Sequence, residues 1–201
     1  MKRYGIMGGT FDPIHVAHLM IAEYAKDEYE LDKIIFIPTG TPPHKNECTD
    51  SKIRYDMVSL AVEDNVDFEV TDIETNRTEL SYSVDTINEL KGKYSGSFYF
   101  IIGSDTLFQL KTWKKIGELS KNVEFICAVR PEYISTKALE MELLYLKSKY
   151  NTKINIIKSP LYELSSTYIR ERIQTGKSVK YLLPDKVIKY IEEHKLYRGL
   201  S

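Results

Sequence analysis

The stretch Gly8-Gly9-Thr10-Phe11-Asp12-Pro13-Ile14-His15-Val16-Ala17-His18-Leu19 decides the fold of this 201-residue chain. It follows a short apolar run at residues 4–7, which predicts a first β-strand. It leads into residues 16–29, where apolar side chains recur at helical spacing. A strand, a glycine turn and a helix start therefore meet within one stretch.

This junction has the features of a phosphate-binding turn. Gly8 and Gly9 have no Cβ atom, so their backbone N–H groups can approach an anion closely. The Asp-Pro pair that follows sets up a helix start, with free N–H groups and a positive dipole end. His15 and His18 are three residues apart and share one face of that helix. The stretch therefore predicts a site where glycine backbone and two imidazoles meet a phosphate.

Other interpretations of the two histidines stay open at this point. Histidines at this spacing also occur on helix surfaces or as half of a zinc site, although no third ligand is evident nearby. The whole combination is far more specific than its parts. It resembles the Gly-Gly-x-Phe-Asp-Pro-x-His-x-Gly-His signature of the nucleotidylyltransferase superfamily, with Ala17 in place of the last glycine.

Composition excludes several classes of function. Hydrophobic residues make up 42% and charged residues 28% of the chain, and the formal net charge is -1. This balance gives no field that would attract nucleic acid or an anionic membrane, and no apolar run predicts a signal peptide or membrane span. The two cysteines form no metal or redox motif. We expect a cytoplasmic protein with no nucleic-acid or membrane partner, and a homo-oligomer stays open.

Strands and helices are predicted to alternate along the chain. After the first pair, we predict strands at 31–38, 66–73, 97–102, 123–129 and 153–157, and helices at 51–63, 83–94, 106–119 (two short ones around Trp113), 136–150, 166–174 and 184–194. A polar loop is predicted at 39–50. The second helix is predicted to be capped by Ser51, with an apolar face of Ile53, Met57, Leu60 and Ala61.

This alternation predicts an α/β fold with a doubly wound parallel sheet, Rossmann-like in architecture. We expect one domain at 1–201, with a helical part at about 160–201. The ligand crevice should lie outside the carboxyl ends of the strands. The glycine turn after Met7 and a second turn at Gly103 both fall at predicted strand ends.

A second motif lies late in the chain. Leu164-Ser165-Ser166-Thr167-Tyr168-Ile169-Arg170 places hydroxyls at a helix start and an arginine in its first turns. Taken alone, it is an ordinary capped helix. It also resembles the Ile-Ser-Ser-Thr-x-Ile-Arg motif of the same superfamily, in which the helix start binds the phosphates of ATP.

Between these motifs the chain is similar to one branch of the superfamily, the bacterial nicotinate mononucleotide adenylyltransferases. The similarity covers about residues 4–170. The matching positions are Pro42-Pro43-His44-Lys45; Glu74, Arg77, Ser81, Tyr82, Ser83 and Thr86; Gly103-Ser104-Asp105; Trp113; and Arg130-Pro131. Ser83 departs from the family threonine and keeps the hydroxyl. We interpret Glu74 and Arg77 as a structural ion pair.

The resemblance implies transfer of AMP from ATP to nicotinate mononucleotide, with Mg²⁺ accompanying ATP and no metal ligands in the protein. The implied catalytic residues are His15, His18, Lys45 and Arg170. The implied ATP-binding residues are Gly8, Gly9, Thr10, Phe11, Gly103, Asp105, Ser165, Ser166 and Thr167. The implied residues for nicotinate mononucleotide are His44, Lys45, Thr86, Trp113 and Arg130. The attacking phosphate monoester has a second pKa near ~6, so no general base is required.

Rival functions remain to be separated by experiment. Trp113 is also a candidate core residue, since a lone tryptophan is often buried. Within the same chemistry, the acceptor could be phosphopantetheine, nicotinamide mononucleotide or a phospho-alcohol taking a cytidylyl group. From another class, the chain could be a nucleotide-binding regulator without turnover. His194 is predicted to be a surface residue.

Overall fold

Six parallel strands form one sheet in a computed structural model that describes residues 1–41, 48–129, 136–157 and 164–198. The spatial order is β3-β2-β1-β4-β5-β6. The strands are β1 (Lys2–Gly9), β2 (Lys33–Pro38), β3 (Phe68–Val70), β4 (Gly96–Gly103), β5 (Val123–Ala128) and β6 (Ile154–Ile157). The strand order reverses between β1 and β4, which is where ligands bind in sheets of this kind. The predicted doubly wound α/β fold is confirmed.

Helices cover both faces of the sheet, because its strands are buried on both sides. They are α1 (Val16–Glu28), α2 (Ser51–Val62), α3 (Ser83–Lys93), α4 (Ser104–Gln109), α5 (Ile116–Leu119), α6 (Lys137–Tyr150), α7 (Ser166–Gln174) and α8 (Asp185–Glu193), with a 3₁₀ turn at Leu110–Thr112. Helices α3, α5 and α6 pack on one apolar core, and α1, α2, α7 and α8 pack on the other.

Alternate residues of each strand enter opposite cores. Ile35 and Ile37 of β2 belong to the first core, whereas Ile34 and Phe36 belong to the second. Cys127 is buried in the first core, and its burial raises the pKa of its thiol to about 12. Within the described ranges, no helix is long and apolar enough to cross a membrane. The single domain at 1–201 stays a prediction.

Several predicted boundaries were wrong for local reasons. The strand predicted at 66–73 forms only at Phe68–Val70, because its start is a turn at Asn65 and it pairs with β2 alone. Helix α4 begins at Ser104, directly after β4, and not at 106. Asp50, not Ser51, caps α2, since its carboxylate accepts a hydrogen bond from the Lys52 N–H at 2.9 Å.

The apolar face predicted for α2 was also incomplete. Its fully buried positions are Arg54, Met57, Val58 and Val62, while the other predicted face residues are only partly buried. An arginine therefore occupies the first position of the buried stripe. The spacing of Arg54 to Met57 and Val58, three and four residues apart, was the available signal.

Candidate functional site

A cleft of about 900 Å³ opens at the carboxyl ends of β1 and β4. This volume lies within the range of small-ligand sites. Its walls come from the ends of four strands and the starts of α1, α3, α4 and α7. The predicted position of the crevice is therefore confirmed.

The glycine turn forms one wall of the cleft. Gly8 and Gly9 are the last residues of β1, so the turn starts two residues later than the sequence indicates. A Cβ atom at Gly9 would lie 3.0 Å from the Phe11 ring, closer than ordinary packing allows. Phe11 itself has a φ of 50°, in the left-handed region, and its ring packs against Phe36. Gly8, Gly9, Thr10 and Phe11 all line the cleft.

The two histidines lie together at the start of α1 and line the same cleft. Their rings stack with centroids 3.7 Å apart and planes 21° from parallel. The backbone N–H of His15 donates to Nδ1 of the His18 ring at 3.2 Å. When neutral, His18 must therefore carry its proton on Nε2, which leaves that N–H as its donor.

Both imidazoles are uncharged at neutral pH in the free protein. Burial lowers the pKa of His15 from 6.5 to about 4. Burial and the neighbouring His15 hold the pKa of His18 well below its usual value. Nδ1 of His15 is buried and has no hydrogen-bond partner in the described structure. An anionic group in the cleft would satisfy these nitrogens and raise both pKa values.

The low pKa of His15 predicts a loss of stability in acid. Between pH 6.5 and about 4 the unfolded chain binds a proton that the folded one does not, so stability falls as pH falls through this window. From pH 7 to 5, His15 should remove about 2 kcal/mol from the free energy of unfolding. Urea unfolding of the parent and His15→Asn at both pH values measures this. An equal loss in both proteins would contradict it.

Asp12 ties the turn to the C-terminal part of the chain. Its carboxylate accepts from the Thr49 N–H at 3.2 Å and from the Tyr197 hydroxyl at 2.6 Å. Burial alone would raise the pKa of Asp12, but these hydrogen bonds and the charge of Arg170 outweigh it and lower that pKa. Burial and Asp12 in turn raise the pKa of Tyr197, which keeps its hydroxyl a donor.

Helix α7 meets the turn through two further hydrogen bonds. Arg170 donates to the Asp12 carbonyl at 2.7 Å, and Ser166 donates to the Pro13 carbonyl at 2.9 Å. Within α7, Arg170 also donates to the Thr167 hydroxyl at 3.3 Å. Ser165 caps the helix by accepting from the Tyr168 N–H. Ser165 and Ser166 line the cleft, whereas Thr167 and Arg170 stand outside the lining in the described structure.

Part of the cleft has an aromatic wall. Trp113 lines it and packs edge-on against Phe100, with ring centroids 5.4 Å apart. Trp113 is therefore both partly buried against the core and accessible from the cleft. Gly103 and Asp105, at the junction of β4 and α4, also line the cleft. Lys114 lines it too, and its Nζ lies 3.8 Å from the centre of the Tyr82 ring.

Thr86 is a buried residue that lines the cleft, and its hydroxyl already has protein partners. It donates to Glu74 at 2.6 Å and accepts from Arg77 at 2.9 Å. The ion pair of Arg77 is with Glu89, at 2.6 Å, and not with Glu74 as predicted. Burial raises the pKa of Glu74, and the hydrogen bond from Thr86 and the charge of Arg77 only partly offset this. The sequence could not reveal that Thr86 has protein partners.

Thr86→Val should therefore destabilise the protein. It leaves the buried Glu74 without its hydroxyl donor, at an expected cost of about 1–3 kcal/mol in the free energy of unfolding. Thr86→Ser keeps the hydroxyl and should lose less than half as much. Chemical unfolding of both variants tests this, and equal stability of parent and valine variant would show that the hydroxyl is not needed by Glu74.

Three predicted site residues, His44, Lys45 and Arg130, lie outside the described residues, as does half of the loop predicted at 39–50. Among the described residues, no group of three or more His, Cys, Asp or Glu side chains is placed to hold a metal ion. The sequence did not point to Arg54, Lys114 or Tyr197. Only Arg54 had a usable signal, its place on the buried face of α2.

Comparison with known proteins defines the class. A cytidylyltransferase-like family model matches residues 6–172, which places the chain in this class of nucleotidyltransferases. Two relatives are named "Probable nicotinate-nucleotide adenylyltransferase". One, from Thermoanaerobacter sp. (strain X514), is 44% identical over 98% of this chain and 94% of its own length. The other, from Lachnoclostridium phytofermentans, is 39% identical over 98% and 100%.

The chain belongs to the family of nicotinate-nucleotide adenylyltransferases. Solved structures share its fold. Nicotinic acid mononucleotide adenylyltransferase from Plasmodium falciparum complexed with NaAD superposes with a TM-score of 0.80 at 21% identity, covering 98% of both chains. The same enzyme complexed with APC gives a TM-score of 0.78 at 20% identity, with the same coverage.

Proposed function

We propose that this chain transfers AMP from ATP to nicotinate mononucleotide, giving nicotinate adenine dinucleotide and pyrophosphate in the synthesis of NAD. The observation that carries the proposal is one cleft at the switch between β1 and β4 that is lined both by a stacked pair of histidines and by an accessible tryptophan. The names of the 39% to 44% identical relatives support the same substrates.

The reaction needs positioning more than acid or base catalysis. A phosphate oxygen of nicotinate mononucleotide attacks the α-phosphorus of ATP in line, and the bond from that phosphorus to the pyrophosphate oxygen breaks. The attacking group is already an anion at neutral pH, because its second pKa is near ~6. No covalent enzyme intermediate is needed. The chain has to hold two anions together and stabilise the charge that develops.

Three elements are proposed to supply those donors. Nε2–H of His18 donates to the α-phosphate, since Nδ1 is occupied by the His15 N–H. His15 donates beside it. The start of α7, with Ser165, Ser166 and Thr167, receives the β- and γ-phosphates, because free helix N–H groups attract anions. The Gly8 to Phe11 backbone completes the cradle, and Gly103 and Asp105 face the ribose.

Arg170 is proposed to donate to the departing pyrophosphate. Its guanidinium has five N–H groups and uses two of them in its bonds to Asp12 and Thr167. Lys45 is proposed as a further cation on the phosphates, as the family motif implies.

The nicotinate ring is proposed to stack on Trp113, with His44 and Arg130 nearby as the family motif implies. Thr86 shapes this end of the cleft through Glu74 and Arg77.

Mg²⁺ is proposed to arrive with ATP. Glu74 and Asp105 are the carboxylates of the described lining, and Glu74 is committed to Thr86. Such a lining fits an ion carried mainly by phosphates and water, which is how Mg²⁺ usually binds in nucleotide sites. When bound, the ion screens charge on the phosphates. Cytoplasmic location and oligomeric state stay predictions.

Pyrophosphate release from ATP and Mg²⁺ tests the proposal, with nicotinate mononucleotide and, separately, nicotinamide mononucleotide as acceptor. We expect rapid release with the acid and much slower release with the amide. Equal rates would contradict the proposed preference for nicotinate mononucleotide and would still support AMP transfer from ATP. ATP binding without release with either acceptor would favour the regulator.

A further inference from the structure

Arg54 is a fully buried cation directly beneath the glycine turn. It stands in the first turn of α2 and is 1% exposed, the largest side chain among the fully buried residues. A guanidinium stays charged under all conditions in which a protein is folded. Removing such a charge from water is costly unless polar groups replace the water.

All three of its hydrogen bonds go to backbone carbonyl groups. Nε donates to Thr49 at 2.7 Å, Nη1 to Thr10 at 2.7 Å and Nη2 to Gly40 at 2.9 Å. No carboxylate forms an ion pair with Arg54 within the ranges that the structure describes. Carbonyl dipoles solvate the guanidinium, but they do not cancel its net charge.

The bond to Thr10 sets the direction of the neighbouring amide. In a planar trans peptide the C=O of one residue and the N–H of the next point in opposite directions. Because the Thr10 carbonyl points at Arg54, the N–H of Phe11 must point away from it. That N–H makes no hydrogen bond to any described residue, and both Thr10 and Phe11 line the cleft.

The hydrogen bond to Thr49 connects Arg54 indirectly to α7. Thr49 donates its N–H to the Asp12 carboxylate, and the Asp12 carbonyl accepts from Arg170. Thr49 and Asp12 thus link Arg54 to Arg170 through three hydrogen bonds. The two arginines hold opposite sides of the same turn.

We propose that Arg54 is a positioning residue for the polyphosphate: it aims the Phe11 N–H into the cleft, and its buried charge is balanced by bound phosphate. The inference rests on the proposed function for the identity of the anion. Arg54 is then expected to favour the binding of nucleotides with three phosphates over the binding of nucleotides with one.

Binding of ATP and of AMP by the full chain tests this, measured calorimetrically for the parent, Arg54→Lys and Arg54→Met. The methionine variant should lose about tenfold or more in ATP affinity, and less than about threefold in AMP affinity. The lysine variant keeps the positive charge but lacks the planar guanidinium that donates in three directions. Its ATP affinity should therefore fall between those of the parent and the methionine variant.

Val58→Ala is the matched control, because Val58 is a fully buried neighbour on α2. It should lower the melting temperature and leave the ratio of ATP to AMP affinity unchanged. If Arg54→Met fails to fold, Arg54→Lys decides alone. A parent-like ATP to AMP ratio in whichever arginine variant folds would overturn the proposal. The binding test needs no acceptor nucleotide, so its failure is distinguishable from a lack of pyrophosphate release in the parent.

Discussion

Replacing His18 by alanine is expected to lower kcat by about 100-fold to 1,000-fold, with much smaller changes in KM for ATP or the acceptor. The hydrogen bond from His15 to Nδ1 fixes the ring and its tautomer before substrate arrives. In the proposed mechanism, the donor at Nε2 is then preorganised for the charge that builds up on the α-phosphate in the transition state. Such an interaction contributes to kcat more than to ground-state binding.

Steady-state kinetics of His18→Ala and His194→Ala separate this effect from a general loss of histidine. His194 is exposed at the end of α8, stacks on Tyr190 and is not among the residues that line the cleft. Its variant should keep the parent kcat. A folded His18→Ala protein with normal turnover would remove this residue from the mechanism.

Arg170→Ala is expected to reduce kcat/KM for ATP by about 100-fold, a loss of roughly 3 kcal/mol in transition-state stabilisation. The change removes the proposed donor to pyrophosphate and also the bond that holds the Asp12 carbonyl. Arg170→Lys should recover little, because a single ammonium cannot hold that carbonyl and reach a phosphate in the same geometry.

Arg172→Ala is the control on the same helix. Arg172 donates to the Ser178 carbonyl and to the Tyr168 hydroxyl at the surface. Its loss should cost some stability and leave kcat/KM unchanged. Equal kinetic losses in the two variants would mean that α7 as a whole, and not Arg170, is responsible.

The fold was predictable because each local signal agreed with the others. The glycine turn lies between an apolar strand and an amphipathic helix, and Gly103 repeats that arrangement after β4. Parallel strands then bring both turns to one edge. By contrast, the length of β3 is set by its pairing with β2 alone. The apolar pattern at 66–73 carries no information about that pairing.

The candidate site was predictable in its residues and less so in their connections. His15, His18 and Ser166 lie together, as the motifs imply. The hydrogen bonds of Thr86 with Glu74 and Arg77 depend on the directions of the side chains, which the spacing of residues in the sequence does not predict. Arg54 was missed despite its helical spacing to Met57 and Val58, because a charged residue in an amphipathic helix is ordinarily assigned to the exposed face.

The hydrogen bond between Asp12 and Tyr197 joins residues 185 positions apart. During synthesis, the glycine turn leaves the ribosome long before its partner has been made. A nascent chain can therefore form β1 and α1 early, while the Asp12 carboxylate still lacks one of its two donors. Completion of the proposed phosphate site is thus tied to the order of synthesis, and chains that terminate before Tyr197 should carry an unfinished turn.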